Sequence, residues 1–522
     1  MGRVLVAEEI AEGGLDVLCA AGHTVDVRIG LDAPQLRDAV VGAQALIIRS
    51  ATQVDAALID AGRDLVVIGR AGIGLDNVDV AAATRRGVMV ANAPQSNVIS
   101  AAEHTMALLL AQARNVPQAH AALVAGRWER SRWEGVELYG KTLGIVGLGR
   151  VGALVAHRAA AFGMHLVAHD PYVAADRCRQ LGAEALPLDE VVRRSDFLSI
   201  HLPKTPETNG LIGTELLGLA KPGLRIVNVA RGGIVDEAAL AEALAAGTIA
   251  GAALDVFVAE PATSSPLFGL DRVVVTPHLG ASTREAQDRA GLAIAEQVSL
   301  ALDGRLVPFA VNVPAAEMPE GVAPFVPLAE QLGRLWASLV AELPARLEIE
   351  YTGGLADADT RLLTLSVLRG VWLVAGDEPV SWVNAAQIAD ERGLEVRSST
   401  ASATLDYVNL LTVRGGGHAV AGTIFAHNGV PRIVMVDDHD LELPLARWIL
   451  VVRNDDSIGV VAAVTSVIAG AGLNIVDLKL GRGWAGGTAM MALSFEQPVP
   501  PEVVRSLSGT HGVLDVNLLA DL

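Results

Sequence analysis

Apolar runs at residues 3–7, 45–49 and 65–69 are short and nearly continuous, and the stretches between them carry apolar positions at helical spacing. Strands buried on both faces and joined by amphipathic helices leave that pattern, so this part reads as a parallel α/β layer. The rhythm resumes at Leu143 to Val146 and continues through 163–170, 196–202, 224–230, 250–257 and 272–276, which predicts a second doubly wound sheet. A helix over 284–303 then leads to Phe309-Ala-Val-Asn-Val313, an apolar segment placed to return the chain to the first layer. Pro308, Pro314, Pro319, Pro324 and Pro327 mark a linker. Beyond it a third α/β unit, about 320–441, contains strands at 345–351 and 432–436.

The last segment reads β-α-β-β-α-β, with strand 447–453, helix 458–471, strands 473–480 and 488–495, helix 500–508 and strand 512–519. That is the split βαβ plan. The expected fold class is therefore α/β: two doubly wound Rossmann-like domains (1–98 with 286–313, and 99–285), an intervening α/β domain (314–442) and a C-terminal βαββαβ domain (446–522). No internal repeat or low-complexity tract interrupts this order.

Composition agrees with several packed cores. A chain of 522 residues, 51% apolar and only 19% charged, exceeds one ordinary core and excludes extensive disorder. Its formal charge of −19 argues against nucleic acid as a partner, because a polyphosphate needs a basic face. Cys19 and Cys178 stand alone, without metal or redox spacing, so no metal is expected and a reducing compartment is. The longest apolar run, Val460 to Val476, is broken by Gly470, Gly472 and Asn474 and is too short to span a bilayer. Acids at Glu8 and Glu9 interrupt the opening run too early for a secretory leader, so a cytoplasmic location without membrane partners is expected.

The sharpest local feature is Lys141-Thr-Leu-Gly-Ile-Val-Gly-Leu-Gly-Arg-Val-Gly152. A predicted strand runs into Gly147, Gly149 and Gly152, the Gly-x-Gly-x-x-Gly spacing that turns a strand sharply into a helix. The helix N-terminus then offers N–H groups and a positive dipole end to a pyrophosphate. Asp170 closes the next apolar stretch, where a carboxylate would grip a ribose 2′-hydroxyl and repel a 2′-phosphate. The motif thus predicts a dinucleotide site, for NAD rather than NADP.

Three later segments carry polar residues just past buried strands: Arg231 after 224–230, Asp255 and Glu260 in and after 250–257, and His278 after 272–276. In an open parallel sheet such residues meet at the carboxyl ends of the strands, beside the reactive end of the dinucleotide. Oxidation of a 2-hydroxy acid needs this set. Histidine suits removal of the hydroxyl proton near neutral pH, and a carboxylate such as Glu260 would orient the ring and favour the imidazolium. Arg231 would clamp a substrate carboxylate with two parallel hydrogen bonds. His104, on an apolar helix, reads as packing, and His201 as a strand-end contact rather than a base.

With Arg70-Ala-Gly-Ile-Gly-Leu-Asp-Asn77 and Asn92-Ala-Pro-Gln-Ser-Asn97, these segments resemble the D-isomer-specific 2-hydroxyacid dehydrogenase family over essentially the whole chain. The resemblance implies that Arg231 is the substrate arginine and that Glu260 and His278 form the acid–base pair. It places cofactor contacts at Ile73, Arg150, Val151, Asp170, Leu202, Ala230, Arg231, Asp255, His278, Leu279, Gly280 and Ala281, beside the three glycines. Substrate contacts fall on Arg49, Ser50, Gly74 and Asn97, with Arg49 meeting an extra anionic group. The substrate implied is D-3-phosphoglycerate, oxidised with NAD to 3-phosphooxypyruvate at the entry to L-serine synthesis, by a homo-oligomer, a tetramer in the long form. Arg130 and Arg132, between Trp128 and Trp133, match a region at the dimer interface of related enzymes; they either approach a neighbouring active site or sit on an amphipathic loop.

Residues 446–522 resemble an ACT domain, an amino-acid-sensing module. Asn454, Asp456 and Asn474 match the positions that bind L-serine in serine-sensing relatives, although Ile458 replaces the usual proline. The plainer reading leaves them as helix and turn caps. The intervening domain resembles the allosteric substrate-binding-like domain of long-form members, which mediates subunit contacts and binds an anion or substrate, but its sequence marks no residue for that role. Two other functions stay open: a dehydrogenase of another D-2-hydroxy acid, such as 2-hydroxyglutarate, or the reverse reduction of 2-oxoglutarate or glyoxylate; and a non-catalytic NAD-sensing regulator.

Overall fold

The computed structural model describes residues 2–305, 307–313, 321–376, 380–402, 407–425, 429–483 and 486–519. Pro314 and Pro319 of the expected linker lie outside the described residues. The first sheet has five parallel strands in the order Thr24–Val27, Arg3–Val6, Ala45–Ile48, Val67–Arg70, Met89–Ala91. Its inner strands are unbroken apolar runs because both faces are covered. Val6 and Ile47 pack under Ile294 and Val298 of helix Arg284–Leu302, while Leu5, Leu46 and Ile48 pack on the opposite face with Leu36 and Leu58. Thr24–Val27 and Met89–Ala91 were missed in the sequence, the first because it is a largely solvent-facing edge strand and the second because it is three residues long. The chain does return to this sheet: Val311 N donates to Val90 O at 2.8 Å, and Ala91 and Ala310 form an antiparallel bridge.

The second sheet is wholly parallel, in the order Val273–Val275, Gly251–Leu254, Arg225–Asn228, Phe197–Ile200, Thr142–Val146, His165–His169, Ala183–Ala185. Thr142–Val146 comes first in the chain yet has neighbours on both sides, so strand order reverses there. A crevice opens at such a switch point, outside the carboxyl ends of the strands.

The third sheet is mixed rather than doubly wound. Glu395–Ala401 runs parallel to Arg346–Gly353, and the rest, Asn409–Gly415, His418–Ile424, Pro431–Val436 and His439–Pro444, follow antiparallel. The fourth sheet is antiparallel, in the order Ile475–Arg482, Ala489–Phe495, Trp448–Asn454, Val513–Leu519, with helices Val460–Gly470 and Pro501–Ser508 completing the βαββαβ order. One face of this sheet packs on its own helices through Leu450, Val452, Val464 and Leu507. Its other face carries Ile449, Val451, Met490 and Ala492 into the core of the intervening domain, beside Leu328, Leu332 and Leu443. Among the described residues no helix is long and apolar enough to cross a membrane.

Candidate active site

The glycine-rich turn is built as its spacing implies. Gly147 has φ +93°, and a Cβ there would lie 2.7 Å from His201 O. A Cβ on Gly152 would lie 2.2 Å from Gly147 O, so helix Arg150–Ala161 can seat on the turn only without one. Gly149, the residue preceding this helix, faces open space, with nothing within 4 Å of an added Cβ. Backbone N–H groups at a helix N-terminus beside open space fit a pyrophosphate. Asp170, just past His165–His169, accepts from Leu148 N at 2.8 Å and from Tyr172 N at 2.9 Å. Its carboxylate is thereby fixed against the turn, and its remaining lone pairs fit a ribose hydroxyl. Leu202 lies beside Gly147, with its Cδ2 3.0 Å from the position of an added Cβ, and Ala230 N is held by Asn228 Oδ1 at 3.0 Å. Arg150 is exposed on the first turn of the helix, and Val151 packs against the core beneath.

Arg231, Glu260 and His278 leave the carboxyl ends of three adjacent strands, Arg225–Asn228, Gly251–Leu254 and Val273–Val275. Pairing continues past the strand ends: Asp255 N donates to Asn228 O at 3.0 Å and Thr276 N to Leu254 O at 3.0 Å. His278 Nδ1 and Glu260 Oε2 are 2.6 Å apart, and Glu260 Oε1 accepts from Phe257 N at 3.0 Å. Burial pushes the Glu260 carboxyl up, but the bonds from His278 and Phe257 outweigh it and hold it below the usual carboxylate range. His278 sits at φ +54°, a left-handed conformation that costs a non-glycine residue about 1–3 kcal/mol.

Asp255 is fully buried and turned inward. Its Oδ1 accepts from Leu279 N at 2.7 Å and Thr276 Oγ1 at 2.6 Å, and its Oδ2 from Gly280 N at 2.8 Å. The expected cofactor residue thus shapes the 278–280 turn from beneath.

Arg231 reaches across to the first domain. Its Nε is 3.4 Å from Asp76 Oδ2, and its Nη2 lies 2.6 Å from where a Cβ on Gly74 would stand, so Gly74 and Arg231 line the cleft together. Asn92 Nδ2 donates to Ile73 O at 2.7 Å and pins this loop. Asn97 precedes helix Val98–Ala113, and its side chain makes no capping bond. Arg49, beyond Ala45–Ile48, belongs to a loop held by Glu8, which accepts from Arg49 N at 2.8 Å and Thr52 N at 2.9 Å; Ser50 is exposed on it. The Arg49 side chain lines a cavity of about 240 Å³ with Glu9, Glu12 and Asp288.

Sequence reasoning passed over Arg70, the last residue of Val67–Arg70. Burial pushes it down to about 10, with the charges of Arg231 and Arg49 acting the same way and those of Asp76 and Glu8 opposing. The signal was available, since Arg70 ends its strand just as Arg49 follows its own.

Other expected residues are less engaged with the cleft. Arg130 is exposed, whereas Arg132 pairs with Asp271 and stacks on Trp133 at 4.8 Å. His201 is bonded to Ser199 Oγ at 2.8 Å, and burial pushes it down to about 4, so it is neutral near pH 7. In the C-terminal domain Asp456 pairs with Arg482 at 3.1 Å, Asn454 is buried with its Nδ2 unpartnered, and Asn474 is exposed before Ile475–Arg482.

Comparison with known proteins identifies the family. A family model described as D-isomer specific 2-hydroxyacid dehydrogenase, NAD binding domain, matches residues 106–280. A second, described as D-3-phosphoglycerate dehydrogenase intervening domain, matches residues 321–437. The D-3-phosphoglycerate dehydrogenase of Mycobacterium leprae is 48% identical over 507 residues, covering 96% of each chain. That of Bacillus subtilis is 36% identical over 525 residues, covering 99% of each. Among solved structures, the TT0316 protein of Thermus thermophilus aligns with a TM-score of 0.55 at 38% identity, over 59% of this chain and 99% of its own. The chain belongs to the D-isomer-specific 2-hydroxyacid dehydrogenases, NAD-dependent oxidoreductases. Within that class its full-length relatives are D-3-phosphoglycerate dehydrogenases.

Proposed function

We infer that the protein oxidises D-3-phosphoglycerate at C2 to 3-phosphooxypyruvate, the step that opens L-serine synthesis. The observation that carries the chemistry is the 2.6 Å contact between His278 and Glu260 at the carboxyl edge of the sheet that also bears the dinucleotide turn. Gly147, Gly149, Gly152 and Asp170 would hold the cofactor, and NAD when bound supplies the acceptor for the hydride that leaves C2.

The protein's own residues do the rest. Glu260, ionised and fixed by Phe257 N, accepts a hydrogen bond from Nδ1–H of His278, which leaves Nε2 as the ring's proton acceptor. As the C2–H bond breaks, Nε2 removes the hydroxyl proton and the C2–O bond becomes a carbonyl; Glu260 then stabilises the imidazolium. Arg231 clamps the substrate carboxylate against the Gly74 backbone, and Arg49 and Arg70 meet the phosphate. The positive charge of Arg231, Arg49 and Arg70 favours the more highly charged phosphorylated acid over the dicarboxylate 2-hydroxyglutarate or the monoanion glyoxylate, and the intact acid–base pair favours an enzyme over a cofactor-sensing regulator.

His278→Ala is expected to lower kcat by about 10²- to 10⁴-fold. Its NADH dissociation constant, read by fluorescence titration, stays near that of the wild type. Undiminished NADH oxidation with 3-phosphooxypyruvate in this variant would sink the reading. The wider reading is a cytoplasmic homotetramer whose ACT-like C-terminal domain binds L-serine at Asn454, Asp456 and Asn474. The buried, unpartnered Asn454 Nδ2 supports that effector role.

A further inference from the structure

His104 stands on the apolar helix Val98–Ala113, the first helix after the chain leaves the first domain. Its Nε2 lies 3.2 Å from Asp255 Oδ1 and 3.1 Å from Thr276 Oγ1. Asp255 has 0% exposure, and an ionised carboxylate only accepts hydrogen bonds. The Thr276 hydroxyl proton is already committed to Oδ1 at 2.6 Å, so Nε2 of His104 must be the protonated nitrogen. Oδ1 therefore gathers three donors, from His104, Thr276 and Leu279 N, while Oδ2 takes Gly280 N. Asp255 O accepts in turn from His278 N at 2.8 Å. One buried residue thus ties down both sides of the turn in which His278 is held at φ +54°.

Such a conformation persists only where its surroundings over-determine it. Two of the four donors to the carboxylate are backbone groups of the turn itself, so they cannot fix Asp255 independently of what it must hold. Thr276 sits two residues before His278 and shares that weakness. His104 is the donor that comes from a separate rigid element.

We propose that His104 is a positioning residue for the oxidation: by anchoring Asp255 Oδ1 from helix Val98–Ala113, it fixes the 278–280 turn and hence the aim of the His278 ring. This rests on the reading of His278 as proton acceptor. A displacement of about 1 Å in a reacting group costs up to about 10²-fold in rate, so a lost anchor should act on kcat rather than on binding. Leucine at position 104 approximates the volume without a donor, whereas glutamine reaches about as far and ends in an N–H group.

The test is steady-state kinetics of His104→Leu and His104→Gln beside His278→Ala. In His104→Leu, kcat is expected to fall about tenfold while KM for D-3-phosphoglycerate moves by less than about twofold, and His104→Gln recovers most of the loss. Equal behaviour of the leucine and glutamine variants, or unchanged kcat in His104→Leu, overturns the proposal. If His104→Leu does not fold, Thr276→Val removes another donor from the same oxygen and must show the same kcat-selective loss; its absence is equally fatal. Full turnover in His278→Ala instead removes the acid–base reading beneath the proposal, so the two failures are distinguishable.

Discussion

A carboxylate without solvent exposure survives in a protein only when hydrogen bonds replace its water, and Asp255 shows what that replacement does at the scale of one residue. Burial alone pushes its carboxyl up; the bonds from His104, Thr276, Leu279 and Gly280 outweigh that and hold it below its ordinary 3.8. A folded-state pKa lower than the unfolded one contributes stability that is present above the unfolded value and lost as pH falls through the folded one. Asp255→Asn, which turns an N–H group toward existing donors, is expected to be less stable than the wild type by about 2–3 kcal/mol at pH 7. That gap should hold down to about pH 5 and shrink through 3.8 and below, as the wild-type carboxyl protonates. Urea midpoints across this range check it, and a gap that widens in acid would contradict the network. Asp255 and Glu260 stood out in the sequence because each follows a buried run. His104 did not, because a histidine inside an apolar helix carries no mark of which neighbour its ring will meet.

The strand-turn-helix unit of residues 142–161 shows how an element divides its glycines between structure and ligand. Gly152 and Gly149 look alike in the sequence, yet an added Cβ meets Gly147 O at 2.2 Å in the first case and nothing within 4 Å in the second. Gly152→Ala should therefore force the helix off the turn and lower the melting temperature by several degrees, about 1–3 kcal/mol of overpacking. Gly149→Ala should melt like the wild type but bind NADH at least about tenfold more weakly, because its methyl occupies space that the pyrophosphate needs. Calorimetry and fluorescence titration of the pair separate the two roles, and a stability loss confined to Gly149→Ala would reverse the assignment. The inner strands of both parallel sheets were legible because burial on two faces leaves continuous apolar runs. The solvent-facing strand Thr24–Val27 obeys the same backbone geometry but lacks that record.

At the scale of the whole molecule, the sequence divides the C-terminal part into two domains that the packing joins through a shared core. Short apolar strands say that a face is buried, not against what. Ile449, Val451, Met490, Ala492 and Leu519 sit in the same cluster as Trp336, Leu347 and Tyr351 of the intervening domain, and His439 bridges Gly483 across the boundary. Each aliphatic side chain buried there contributes about 1.5–3 kcal/mol, so the intervening domain should not stand unaltered without its neighbour. The coenzyme turn, in contrast, lies in a cluster formed by residues 102–274 and draws nothing from that core. A chain ending at residue 445 is therefore expected to unfold at a lower temperature and bind a hydrophobic dye, while its NADH affinity stays within about twofold of the full chain. If the C-terminal domain is also the L-serine sensor, calorimetric heat on adding millimolar L-serine appears with the full chain and vanishes with the truncated one. Because the helix-covered face and the shared core lie on opposite sides of a single four-stranded sheet, an effector bound on the helix side that shifted the sheet would strain the intervening domain, which itself touches the first domain where Ser381 Oγ donates to Gly87 O at 2.8 Å. An unchanged melting temperature in the truncated chain would deny that mechanical route, and serine heat that survives truncation would move the effector site elsewhere.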